Sequence, residues 1–256
     1  VRQLPREQSD AVLASSVDQQ PSLGLPNTLR LGLFQGCLGC LAVIFAGLLN
    51  RVMLSELEFP GLLVGGALAF EQFVAPSRVL FGQISDAHPW AGRHRLPYIW
   101  LGTALFCGLA VLSVPLIFHV GRLLEAASQP ELALGIAALC GLFALYGLAI
   151  SLATTPYLAL VIDRTSEAER PRAVGLIWCL LTVGIVIGAI SINLSLRSLD
   201  GITDPALLEP VLLGFMGRVA AVVLVLTVVA TVGIEPSNKQ LDLVAGGPRR
   251  EDAITL

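Results

Sequence analysis

Charged residues are scarce in this sequence, so their positions carry much of the chemical information. Two short polar segments concentrate them. The first, 82–97, contains Gly82, Asp86, Gly92, Arg93 and Arg95. Asp86 can pair with Arg93 or Arg95 across a short turn, and the same arginines can hold a lipid phosphate. Gly82 and Gly92 permit the tight turning this needs. Asp86 also precedes an apolar stretch. If that stretch is helical, its first amides are unpaired and carry partial positive charge, which an acid nearby would complement. The second segment, 163–173, has the same composition, with Asp163 at the end of one apolar stretch and Arg170 and Arg172 before the next. The alternative for both is a solvated loop with ordinary helix caps.

Three ionisable residues stand inside apolar runs: Glu71, Arg78 and Arg218. Burying a charge in lipid is costly, so such residues are functional candidates. Glu71 can serve as a protonatable carboxyl, an oxygen ligand to magnesium or half of an ion pair. At about 1.5 Å per residue, Glu71 lies about 16 Å from residue 60 and Arg218 about 12 Å from residue 210. The matching depth allows a Glu71–Arg218 pair if their helices touch. Arg78 is placed to extend towards headgroups. Cys37, Cys40, Cys107, Cys140 and Cys179 fall in apolar stretches and read as small buried hydrophobes. His88 and His94 lie in the first polar segment, and His119 ends an apolar run. No nucleophile, base and oxyanion set is legible, nor a phosphate loop or a paired-carboxylate arrangement. Nothing here calls for an enzyme or a bound metal.

The elements that must position these residues are membrane helices. The chain is 55% hydrophobic and 14% charged, with mean hydropathy +0.78. Soluble domains carry about 25% charged residues, so lipid is the natural solvent for this surface. The net charge of −3 offers no basis for nucleic-acid binding. A spanning helix needs about 20 apolar residues. Six stretches qualify, at 29–50, 60–81, 97–119, 132–162, 173–196 and 210–234. The sequence therefore predicts an all-α, polytopic membrane protein with six transmembrane helices over 29–234. Pro156 is expected to kink the fourth. The polar segment 1–28 reads as a mobile cytoplasmic tail, and 235–256 as a flexible cytoplasmic tail or the start of a linker. With the N-terminus in the cytoplasm, eleven Lys and Arg residues fall inside and three outside, as the positive-inside rule requires. The glycine pairs Gly32/Gly36, Gly61/Gly65 and Gly184/Gly188 each lie one turn apart, which allows close backbone approach in lipid.

Specific motifs add a resemblance. Gly82-x-x-x-Asp86 followed by Gly92 and Arg93 resembles the signature loop of the major facilitator superfamily, with Gly92 and Arg93 three residues late. The longer form Ser85-Asp86-x-His88, with Pro97-Tyr98-Ile99-Trp100-x-Gly102-Thr103 downstream, resembles the PucC family of light-harvesting assembly proteins. Leu49-Asn50-Arg51-Val52-Met53, Phe73-Val74-Ala75-Pro76-Ser77-Arg78 and Arg170-Pro171-Arg172-Ala173-Val174 agree with it. Stretches around Thr154-Thr155-Pro156 and Gln83-Ile84-Ser85 lean towards cyanobacterial-type members.

The resemblance implies a fold like one six-helix half of a facilitator, the family having two. It implies a membrane factor that binds chlorophyll or bacteriochlorophyll as cargo, or delivers it to light-harvesting or photosystem apoproteins. Chlorophyll synthase, the lipid bilayer, and a missing second half or a second copy are the expected partners. A photosynthetic membrane (thylakoid or intracytoplasmic) or the plasma membrane is the expected location. Asn50 and Arg51 become site candidates through the family motif. In the facilitator architecture spans two and five border the opposite half, so Gly61/Gly65 and Gly184/Gly188 are expected to face another six-helix unit. An ion-coupled permease, with Glu71 as the natural carrier, is the alternative. A scaffold that binds partner helices and no ligand is a third reading.

Overall fold

In a computed structural model the chain is described over residues 24–88, 90, 93–126, 128–197 and 205–235. Gly92 and most of the two expected tails lie outside these residues. The described chain forms α1 (Gly24–Glu56), α2 (Gly61–Phe73), α3 (Ser77–Ala87), α4 (Leu96–Ala126), α5 (Gln129–Asp163), α6 (Arg170–Arg197) and α7 (Pro205–Thr231). A helix satisfies its backbone groups internally, which hydrocarbon demands. The protein is an all-α, multi-pass membrane protein. Five of the helices, α1, α4, α5, α6 and α7, are long and apolar enough to cross a bilayer.

The second expected span is not one helix. It divides into α2 and α3, of 13 and 11 residues, at the turn 74–76. Pro76 supplies no amide to continue the ladder. Both pieces nevertheless advance along α5 in the same direction. Glu71 and Val74 lie against Gly147, and Gly82 lies against Thr155. Together they trace the path of a single broken span. Pro156, by contrast, sits inside α5 without ending it. The first helix begins at Gly24, inside the segment expected to be a tail. It also contains two widened π-helical stretches, Ile44–Leu48 and Val52–Glu56.

The principal contacts have a hidden regularity. α1 packs on α6 and α7, α5 packs on the broken α2–α3 span and on α4, and α4 packs on α7. Exchanging α1 with α5, α2–α3 with α6, and α4 with α7 leaves this set unchanged. The helices so exchanged run in opposite directions. Arg30, near the start of α1, meets the end of α7, while Asp163, at the end of α5, lies at the same end of the bundle. This is the arrangement of an inverted repeat, although the letters show none.

The centre is aromatic. Phe45 of α1 stacks on Tyr146 of α5 at 3.7 Å, and Phe143 meets Phe45 edge-on at 5.3 Å. Phe34 packs on Tyr157 at 4.5 Å, and the Tyr157 hydroxyl donates to the Leu31 carbonyl at 2.9 Å.

The glycine pairs behave differently from expectation. Gly184 lies directly against the Gly36 backbone, and a Cβ on Gly188 would come within 2.7 Å of the Cys40 carbonyl oxygen. Two of the three pairs thus meet each other across α1 and α6, inside this bundle. They do not face another six-helix unit. Packing without a hydrophobic driving force favours this closest approach. At Gly61 and Gly65 an added Cβ would meet nothing within 4 Å, so their face is open. Gly188→Leu is therefore expected to destabilise the isolated chain by about 1–3 kcal/mol or more, as overpacking does. Gly65→Leu should stay within about 0.5 kcal/mol of the parent. Thermal unfolding in detergent micelles checks both. Equal stability of the two variants would contradict the packing described.

Candidate functional site

One end of the bundle carries an ionic cluster built from sequence-distant parts. Arg95 precedes α4, and its guanidinium pairs with the Asp86 carboxylate at the end of α3. It donates to Ser85 Oγ at 2.9 Å and, from two nitrogens, to Asp163 Oδ2 at 3.3 Å. The Arg95 side chain is 14% exposed, whereas those of Asp86 and Asp163 are 61% and 53% exposed. The cation is thus the buried member, and it needs all three acceptors. Ser85 is buried and donates its own hydroxyl to the Gly82 carbonyl at 2.9 Å. Gly82 meanwhile gives α3 close contact with Thr155.

The entrance to α4 is capped, but not by Asp86. Glu235, beyond the end of α7, accepts hydrogen bonds from the backbone amides of His94 (2.7 Å), Arg95 (3.1 Å) and Leu96 (2.9 Å). These are the amides a helix start leaves unpaired. Asp86 is taken up by Arg95 at a helix end. Glu235, the first residue of the segment expected to be flexible, is therefore anchored. The complementary interaction sits at the end of α7, where Arg30 donates to the carbonyls of Val229 (2.7 Å) and Val232 (2.6 Å). Trp100 of α4 donates to Thr231 Oγ1 at 2.9 Å.

The two predicted polar segments share this cluster unevenly. Asp163 joins it. Arg170 does not, and its Nε is buried without a hydrogen-bond partner. Arg172 is exposed and lines a shallow pocket with Thr28, Thr165 and Glu169. Arg93 pairs through its backbone with Trp90, with N–O distances of 2.9 and 3.1 Å. Sequence reading missed Ser85, Glu235 and Arg30 as partners. The available signals were an acid directly after one apolar run and a cation just inside another.

The charges within the apolar runs do not form the expected pair. Glu71 is on α2, which packs on α5. Arg218 lines a groove formed by α1, α6 and α7. Glu71 is half-buried one turn before the break, and Arg78 is exposed just after it. Ser77 Oγ, at the start of α3, and Thr155 Oγ1, on α5 beside Gly82, are buried without hydrogen-bond partners. Asn50, half-buried, and Arg51, exposed, sit between the two π-helical stretches of α1. Such widened turns are frequent at functional sites.

Two apolar grooves follow from the contact pattern. α6 and α7 both pack on α1 and leave a groove of about 390 Å³ between them. The exchange that relates the helices maps it onto a second groove of about 240 Å³, lined by Phe81, Leu105, Leu109, Leu145, Leu148, Ala149 and Leu152. Neither groove was legible as a sequence pattern, because each is lined by three separate helices whose angular placement the letters do not give.

Arg95→Met should lower stability by roughly 1–3 kcal/mol, since it strips Ser85 and two carboxylates of their donor at once. Asp163→Asn, at a half-exposed position, should cost less than about 1 kcal/mol. Glu235→Gln should cost about 1 kcal/mol by weakening the charge at the α4 entrance. It should also speed hydrogen exchange at the amides of residues 94–96. Unfolding in detergent and exchange mass spectrometry read these effects. A larger loss in Asp163→Asn than in Arg95→Met would refute Arg95 as the hub.

Known proteins supply the remaining finding. The family model described as PUCC protein matches residues 48–254. The Protein PucC of Rhodovulum sulfidophilum is 39% identical over 170 residues, 66% of this chain and 37% of that protein. The Protein PucC of Cereibacter sphaeroides is 34% identical over 224 residues, 87% of this chain and 46% of that protein. The "Bacteriochlorophyll synthase 44.5 kDa chain" of Rhodobacter capsulatus is 30% identical over 217 residues, 84% of this chain and 45% of that one. The chain spans less than half the length of each of these relatives. No solved structure matches it. With its matched residues covering both the ionic cluster and the groove-forming helices α6 and α7, the chain belongs to the PucC family.

Proposed function

We propose that this chain is part of a membrane assembly factor that binds (bacterio)chlorophyll or delivers it to light-harvesting or photosystem apoproteins. The observation that carries this reading is the family match over residues 48–254. A relative whose name contains bacteriochlorophyll supports it and favours that pigment as cargo. The fold is compatible, since long apolar helices with lipid-facing grooves can retain a membrane-dissolved molecule. The reading places the protein in a photosynthetic membrane with its N-terminus in the cytoplasm. The ionic cluster then faces the cytoplasm, where Lys and Arg residues are in excess. A chlorophyll synthase is a natural source of the pigment. A second six-helix unit, in another part of the polypeptide or another copy, would cover faces left open here.

A second reading, an ion-coupled permease, draws on Glu71. Transporters bind coupling ions at broken helices, and Glu71 is a half-buried, protonatable group beside such a break. It requires a proton-linked flux that disappears in Glu71→Gln.

The assembly reading predicts that the chain, purified from membranes of a bacteriochlorophyll-producing host, carries pigment absorption bands. It also predicts that deleting the gene lowers the yield of pigment–protein complexes. Pigment-free protein together with normal complex assembly in the deletion strain would reject it.

A further inference from the structure

The larger groove has a direction. Because Arg30 meets Val229 and Val232, the Gly32 end of α1 faces the Leu226 end of α7. Ile44 of α1 therefore lies at the level of Arg218. On α6 the lining runs from Leu180, beside Gly32, to Ser191, beyond the Gly188–Cys40 contact. The groove thus extends about 18 Å along α1 at ~1.5 Å per residue, with both Arg218 and Ser191 at one end. The rest of its wall is apolar.

Arg218 is a specific addition to this groove. The groove related to it by helix exchange has no ionisable residue in its lining, so the fold forms such a surface without a charge. Among the described residues Arg218 has no ion-pair or hydrogen-bond partner. One of its terminal nitrogens lies 3.8 Å from where a Cβ on Gly214 would be. The side chain thus bends back along α7, towards the polar end. An arginine kept without a partner at this depth is costly in lipid. It calls for a ligand with oxygen acceptors at one end and a long apolar body.

We propose that this groove is a binding site for (bacterio)chlorophyll, a proposal that rests on the assembly reading above. The esterified hydrocarbon tail lies along the apolar stretch towards Gly32. Arg218 donates to a carbonyl oxygen of the macrocycle or its ester, and the ring occupies the end near Ile44 and Ser191. The second groove is smaller and carries no cation. The oxygen-bearing ring selects the one with the cation.

The test uses the whole chain purified in mild detergent from bacteriochlorophyll-producing membranes, with pigment read by absorbance and phospholipid by phosphorus content. Arg218→Met should reduce pigment occupancy roughly tenfold or more, as loss of a hydrogen bond from a charged donor does. Val222→Trp, which fills the groove, should do the same. Leu109→Trp, which fills the uncharged groove, should leave occupancy unchanged. Arg218 is exposed, so the methionine variant should keep the parent's thermal midpoint and remains decisive if Val222→Trp folds poorly. Pigment retained equally by parent and Arg218→Met would overturn the site while leaving the assembly reading intact. A pigment-free parent would overturn the site. If its bound phosphorus were also lost in Arg218→Met, the groove would belong to a phospholipid. Normal complex assembly in the deletion strain is the separate result that sinks the assembly reading.

Discussion

Hydrocarbon offers no hydrogen bonds, and the architecture follows from that constraint. Each spanning segment must satisfy its own backbone, so the chain is helical throughout the bundle. Lipid is also as apolar as the side chains, so apolar surface alone does not bring helices together. Close packing must do so. The densest contact, α1 on α6, is made where Gly36 meets Gly184 and Cys40 meets Gly188. The Phe45–Tyr146 stack then joins α1 to α5 through the centre.

The same constraint explains the ionic cluster. Helix ends leave backbone groups unpaired, and those near the membrane surface need partners. Glu235 takes the amides at the start of α4, and Arg30 takes the carbonyls at the end of α7. Arg95 collects the ends of α3 and α5 through Asp86, Ser85 and Asp163. Helices that pack on one another along the bundle are thereby also tied at one face. A movement of α4 relative to α7 would have to break the Glu235 and Trp100 contacts together.

Inside the bilayer the bundle is less uniform than its composition suggests. The exchange symmetry leaves two grooves of similar origin, and one of them carries an arginine. The broken span adds a second irregularity, with a half-buried Glu71 and the unpartnered Ser77 hydroxyl beside it. The proposed pigment cargo needs length and apolar surface, which the groove supplies. The break is the feature a solute pathway would use.

The sequence by itself determined that the chain lives in lipid, that it is helical, and where most apolar spans lie. Those properties depend on composition and run length, which are local. It also marked two ionic segments, Asp86 with Arg93 and Arg95 in one and Asp163 with Arg170 and Arg172 in the other, because acids and bases cluster at span ends. Tertiary structure decided which of them meet. Arg170 and Arg172 have the same composition around them, yet Arg95 alone reaches both carboxylates. It decided that Glu71 and Arg218 stay apart despite equal depth, because depth is one coordinate and the angular position of a helix in the bundle is another. It turned the Gly184/Gly188 pair inwards, since a glycine pattern says that a close approach is possible and not which helix makes it. The break at Pro76 was legible as a proline. Residue type alone does not say which proline divides a span, since each proline lacks the same amide and Pro115, Pro156 and Pro210 all lie inside unbroken helices.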